Sequence, residues 1–156
     1  MSPDEILLRR LAAEIDKELE SLEQLSIEFR DAPAASDTYS LRARGSLLHD
    51  FYTGVERVFV RIAEELNGGV PRGDQWHRQL LQDMTIAIPD VRPSVVGRQL
   101  ADELAEFLRF RHVFRNVYGF VLDHAKLKLL EERFPDLSVA FIEQLRVFSD
   151  WLRGAG

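Results

Sequence analysis

The chain has 156 residues, of which 46% are hydrophobic and 29% are charged, so it is long enough to bury one core and short for two. It contains no cysteine, which excludes a disulfide framework, a thiol nucleophile and a cysteine-based zinc site. The net charge of −6 disfavours a nucleic-acid binder with a uniformly basic surface, although it allows a local basic site. We therefore expect one domain over residues 1–156.

Targeting and membrane segments are not predicted. The N-terminal residues carry charges every few positions, which is not the pattern of a signal peptide, and no window approaches the roughly 18 apolar residues that a membrane span needs. Together with the absence of cysteine, this predicts a cytoplasmic protein that does not associate with a membrane.

Two long helices are predicted in the first half of the chain. Ser2 and Pro3 are typical of a helix start, and this helix should run to about Arg30. A second start follows at Ser36–Asp37, and Asn67–Gly68–Gly69 should end that helix. Apolar residues at a spacing of three and four define one buried face on each helix: Leu8, Leu11, Ile15, Leu19, Leu22 and Phe29 on the first, and Leu41, Leu48, Tyr52, Val55, Phe59, Ile62 and Leu66 on the second.

The second half of the chain is predicted to contain shorter or interrupted helices. A short helix should span Gly73 to Met84, and a proline-containing loop follows it. A third long helix should run from about Ser94 to near Gly119, and a last helix should begin at Asp123 and be broken by Pro135. Because no segment alternates with period two, the sequence predicts an all-α bundle of three long helices, a short side helix and a broken C-terminal helix.

Several kinds of site are not expected. The four histidines lie in four different segments, and no His-x-x-x-His or Glu-x-x-His pair places two metal ligands on one helix face. There is no Gly-x-Ser-x-Gly motif and no glycine-rich phosphate loop. We therefore expect neither a metal nor another cofactor.

The stretch "RFRHVFRNVY", residues 109–118, breaks the apolar pattern of the third long helix. On a helical projection Arg111 lies in the middle of the apolar stripe, with Arg115 beside it and His112 and Asn116 on one flank. Burying an arginine costs several kcal/mol unless its donors are satisfied. The partner could be a carboxylate of the bundle, in which case Arg111 is structural, or an anion such as phosphate. The candidate carboxylates are Asp50, Glu56 and Asp123.

The second helix offers a polar surface that could face Arg111. Within "SLLHDFYTGVERVF" several polar side chains surround the apolar face that is predicted to be buried. Gly54 permits the close approach of another helix. These side chains are His49, Asp50, Tyr52, Thr53 and Glu56.

These segments resemble the HEPN family, and in particular the HepT-type toxins that pair with a minimal nucleotidyltransferase (MntA-type) antitoxin. The likeness covers "SLLHDFYTGVERVF", "QWHRQLL" and "FRHVFRNVYGF". The last of these segments corresponds to the Arg–polar–x–x–x–His–x–Tyr motif of the family. The resemblance implies a homodimer with a composite, metal-independent ribonuclease site. It implies that Arg111 holds the phosphate, with Arg109 and Arg115 as further phosphate contacts, and that Tyr118 is adenylylated by the antitoxin.

The motif differs from the family pattern at one position. Asn116 stands where the family has histidine, and an amide cannot exchange a proton near neutral pH. Either His112 supplies the acid–base function, or the protein is a catalytically silent HEPN module that acts through partner or nucleotide binding. A third reading is a helical interaction domain in which Arg111 forms a structural ion pair.

Overall fold

The computed structural model describes residues 1–116 and 124–154, with side chains over residues 1–112 and 125–154. These ranges contain five helices: α1 (Pro3–Asp31), α2 (Thr38–Leu66), α3 (Trp76–Asp83), α4 (Arg98–Asn116) and α5 (His124–Gly154). Within them β-structure is limited to one isolated bridge between Ile88 and Arg92. The predicted all-α bundle is confirmed. None of the described helices is long and apolar enough to cross a bilayer.

Capping residues set the ends of the first two helices close to where the sequence predicted them. Ser2 and Glu5 form a reciprocal capping box at the start of α1. Asp37 caps α2, since its carboxylate accepts a hydrogen bond from the backbone N–H of Ser40 at 3.0 Å. Asn67 ends α2, and Gly68 continues with a positive φ of 76°.

The starts of α3 and α4 were predicted too early. Gly73 has a φ of 102°, which is incompatible with a right-handed helix, so α3 begins at Trp76. The N–H groups of Val95 and Val96 donate to the carbonyl of Met84 at 2.8 and 3.2 Å, which keeps this part of the loop outside the helix. As a result α4 begins at Arg98 rather than near Ser94.

The predicted break in the C-terminal helix is wrong. Pro135 lies inside α5, which is continuous on both sides of it. A proline in a helix interior costs about 3 kcal/mol, but the buried face of α5 extends across the site and packs along α1, and this burial outweighs the local cost. The buried side chains of this face are Leu127, Leu130, Phe134, Leu137, Phe141, Leu145, Phe148 and Leu152.

Helix α2 occupies a central place in the bundle. It packs against all four other helices, while α1 lies mainly along α5. Gly54 allows the approach of α1, because a Cβ at this position would lie 2.5 Å from Cδ2 of Leu22. The short helix α3 lies against both α2 and α4. Side chains from α2, α3 and α4 therefore meet on one side of the bundle.

A buried arginine organises the loop between α3 and α4. Arg92 is 3% exposed and donates to the carbonyls of Asp83, Ile86 and Pro93. It also donates to the side-chain oxygen of Asn67 at the end of α2, and its burial lowers the pKa of its guanidinium. This network ties the loop to α2 and so holds α3 in place.

Candidate functional site

Arg111 lies where α4 meets α2. The preceding residues of its stripe, Leu104 and Phe107, are fully buried, and the Arg111 side chain is 12% exposed. Its Nε donates to Oγ1 of Thr53 at 3.3 Å, and its Nη1 lies 3.6 Å from Oε1 of Glu56. The structure therefore brings two residues of the predicted polar surface of α2, Thr53 and Glu56, to Arg111. Both distances are long for contacts of a guanidinium.

Glu56 is the carboxylate at the centre of the site. It is 7% exposed on α2, and its second oxygen, Oε2, lies 2.7 Å from Nδ1 of His77. The sequence offered three carboxylates as partners for Arg111, and among those in the described part of the chain Glu56 is in contact. Asp50 is exposed, and Asp123 lies outside the described residues.

Tyr52 lies beside this pair at the core side of α2. Its ring is 1% exposed, so its hydroxyl does not reach solvent as an amphipathic surface tyrosine would. Burial raises the pKa of Tyr52 well above its ordinary value, and the nearby charge of Glu56 raises it further, while Arg111 lowers it. Tyr52 is therefore a neutral, buried neighbour of the Glu56–Arg111 pair.

His77 is a member of the cluster that sequence reasoning did not select. It lies on α3, its imidazole stacks on Trp76 with ring centroids 3.6 Å apart, and its side chain is 30% exposed. The signal in the sequence was "QWHRQLL", a histidine on a short helix, but its pairing with Glu56 depends on how α3 packs against α2.

A cavity of about 360 Å³ lies between the start of α3 and one face of α4. His77 and His112 both line it, as does Arg109, which also lies 2.6 Å from Glu106. The remaining lining residues are Asp74, Gln75, Arg78, Ala105 and Leu108. His77, which the structure adds to the site, and the predicted residues Arg109 and His112 thus line one concave surface.

The other predicted residues of α2 lie near the site rather than in it. His49 Nδ1 is 3.4 Å from the exposed carboxylate of Asp50. The backbone carbonyl of His49 accepts a hydrogen bond from Thr53 at 3.0 Å, and Thr53 in turn accepts one from Arg111. His49 is therefore linked to Arg111 through Thr53.

The remaining predicted site residues lie outside the described part of the chain. This applies to Tyr118 and to the side chains of Arg115 and Asn116, although the backbone of Asn116 ends α4. Over the described ranges, no group of three or more histidine or carboxylate side chains is placed to hold a metal ion.

Comparison with known protein families identifies a family for this chain. The family model for HepT-like proteins matches residues 43–152, which is well over half of the chain and includes all of α3 and α4. This chain belongs to the HepT-like family. No curated protein and no solved structure shows a significant match to it.

Proposed function

We propose that this HepT-like protein is the toxin of a toxin–antitoxin pair, a metal-independent RNA endonuclease acting as a homodimer of single-domain subunits. The observation that carries this proposal is the position of Arg111. Its guanidinium is nearly buried on an otherwise apolar stripe, but its contacts with Thr53 and Glu56 are long, so a phosphate could compete for its donors.

The chemistry follows from the structure of RNA. A base removes the proton of a 2′-hydroxyl, and the 2′-oxygen attacks the adjacent phosphorus. The bond from phosphorus to the 5′-oxygen then breaks, and an acid protonates that oxygen, which gives a 2′,3′-cyclic phosphate and a 5′-hydroxyl. In this scheme Arg111 stabilises the charge that develops on the phosphate, with Arg109 and Arg115 as further phosphate contacts.

The activity can be tested with purified protein and single-stranded RNA in the presence of a chelator. We expect cleavage that ends in 2′,3′-cyclic phosphates, and Arg111→Ala should lower the rate by about 100-fold or more. Arg146→Ala is the matched control, because Arg146 pairs with Glu23 on another part of the bundle and should leave the rate unchanged. Cleavage that survives Arg111→Ala would remove Arg111 from the site.

A catalytically silent HEPN module is the second candidate. Asn116 in the histidine position favours it, as does the contact of Glu56 with Arg111, which offsets the charge a phosphate would meet. Under this candidate the wild type is inert and Asn116→His gains activity. Activity in the wild type would exclude it.

The proposed partner is a minimal nucleotidyltransferase antitoxin that adenylylates Tyr118. Co-expression of the two proteins should raise the intact mass of this chain by adenylate units, and Tyr118→Phe should abolish the increase. Tyr39→Phe is a suitable control, because Tyr39 is 83% exposed and remains available to a nonspecific transferase. An unchanged mass of the wild type would contradict the regulatory part of the proposal.

A further inference from the structure

The pair formed by Glu56 and His77 has the geometry of a carboxylate–histidine couple. A carboxylate can only accept hydrogen bonds, so at a distance of 2.7 Å the Nδ1 of His77 carries the proton and donates it to Glu56. In the neutral imidazole the other nitrogen, Nε2, is then the proton acceptor. A nearly buried carboxylate also fixes the orientation of the ring.

The same carboxylate also faces the arginine. Oε2 of Glu56 meets His77, while Oε1 faces Nη1 of Arg111 at 3.6 Å. One side chain of α2 therefore contacts both an imidazole on α3 and a guanidinium on α4. A proton acceptor and a cation for a phosphate are the two groups that cleavage of RNA by its own 2′-hydroxyl requires.

The ring of His77 also borders a space in which a substrate could bind. The cavity of about 360 Å³ between α3 and α4 is within the size range of ligand sites. The residues that line it include His77, His112, Arg78 and Arg109 against one acidic residue, Asp74, with Glu106 paired to Arg109. A lining in which basic residues outnumber acidic ones suits an anionic ligand. His112 borders the same space from α4.

We propose that His77 is the general base of this protein, supplying the acid–base function that Asn116 cannot. The inference rests on the proposed ribonuclease function and assigns a residue of that site. Nε2 of His77 takes the proton of the 2′-hydroxyl as the 2′-oxygen bonds to phosphorus. Protonated His112 gives a proton to the departing 5′-oxygen. Glu56 is a positioning residue, and exchange with water returns both histidines to their starting states.

The variant that separates catalysis from structure is His77→Asn. The side-chain amide of asparagine can still donate a hydrogen bond to Glu56, but it cannot accept a proton. We expect kcat for RNA cleavage to fall by about 100-fold or more, with KM and the thermal unfolding curve close to wild type. Gln79→Ala, at an exposed position of α3 outside the cavity, is the control and should keep its activity.

Chemical rescue gives a second readout that a structural role would not produce. Added imidazole should restore part of the activity of His77→Ala, because a free imidazole can enter the vacated space and accept the proton. It should not restore Arg111→Ala. Glu56→Gln should lower kcat less than His77→Asn does, since an amide oxygen can still accept the hydrogen bond of the ring.

The outcomes distinguish the two proposals. If the wild type cleaves RNA and Arg111→Ala is inactive while His77→Asn keeps its rate, the role of His77 is wrong and the ribonuclease function stands. If His77→Asn loses its rate and imidazole rescues His77→Ala, both stand. A wild type that does not cleave RNA overturns the ribonuclease proposal, and the role of His77 falls with it.

Discussion

Two arginines, Arg44 on α2 and Arg111 on α4, are buried to a similar degree but are held in different ways. The side chain of Arg44 is 8% exposed and that of Arg111 is 12% exposed. Arg44 donates to Glu131 at 2.9 Å, to the carbonyl of Ala35 at 2.9 Å and to the carbonyl of Pro33. Arg111 has contacts of 3.3 and 3.6 Å with Thr53 and Glu56.

The difference indicates which arginine is structural. Arg44 connects α2 to α5 and to the loop after α1 through short hydrogen bonds to acceptors within the bundle. These donors are already used by the fold and are not available to a ligand. The carboxylate that faces Arg111 is instead shared with His77, at a shorter distance. Burial alone would have grouped the two arginines together, whereas the quality of their contacts separates them.

The largest expected effect is the loss of RNA cleavage when Arg111 is replaced. Arg111→Ala should reduce RNA cleavage by about 100-fold or more, while the free energy of unfolding falls by only about 1 kcal/mol, because Glu56 keeps its bond to His77. Cleavage assays and urea unfolding followed by circular dichroism would measure both. A variant that chiefly unfolds would instead favour the structural ion pair and an interaction domain.

Replacing Arg44 should have the opposite result, a loss of stability with activity retained. Arg44→Ala removes the partner of Glu131 and of two loop carbonyls, so the free energy of unfolding should fall by about 3 kcal/mol. Cleavage per folded molecule should stay near wild type. Arg146→Ala breaks an exposed ion pair and should cost less than about 1 kcal/mol. Equal losses in the two variants would contradict the structural role of Arg44.

A smaller effect is expected at Gly54, which sets the position of α2 against α1. In Gly54→Ala the new Cβ would lie 2.5 Å from Cδ2 of the fully buried Leu22 and 2.9 Å from Oε1 of Glu18. Overpacking should exceed the gain in helix propensity, for a net loss of about 1 kcal/mol in urea unfolding. Gly97→Ala, whose Cβ would have room, should be near neutral. A stabilised Gly54→Ala would show that α1 adjusts freely.

The smallest effect concerns the cap of α2, near the loop that Arg44 binds. Hydrogen bonds from the backbone and side chain of Ser40 hold the pKa of Asp37 below its ordinary value of 3.8. Because the pKa is lower in the folded state, this stabilisation is present above pH 3.8 and is lost as the pH falls through the folded-state pKa.

Asp37→Asn isolates that contribution, since asparagine caps a helix but does not titrate. The difference in unfolding midpoint between wild type and Asp37→Asn should shrink as the pH is lowered from about 5. A difference that stays constant with pH would contradict the prediction.

Much of the fold could be predicted from local signals. The starts of α1 and α2 follow from Ser2 and Asp37, whose side chains can satisfy the free N–H groups of a helix start. The break at Pro135 was predicted from an equally local rule and was wrong. Burial of α5 along α1 provides more free energy than the missing hydrogen bond costs, and that contact joins residues far apart in the chain.

The candidate site could be predicted only in part. The position of Arg111 in an apolar stripe is a property of helical spacing and was visible in the sequence. The sequence offered three carboxylates as its partner, and of the two in the described residues, Asp50 and Glu56, it is Glu56 that contacts Arg111. His77 was missed because its role arises from the packing of α3 onto α2, which Arg92 and the loop before α4 help to fix.

The sequence by itself determined the helical class, the N-terminal caps of α1 and α2 and the presence of a costly arginine on an apolar face, because each depends on residues within a few turns of one another. The tertiary structure decided which arginine is held by short hydrogen bonds, which carboxylate of α2 meets Arg111 and which histidine joins it. Those contacts join residues of α2, α3 and α4 that lie 21 or more positions apart in the chain. At such separations only the packing of the bundle sets the distances between the side chains.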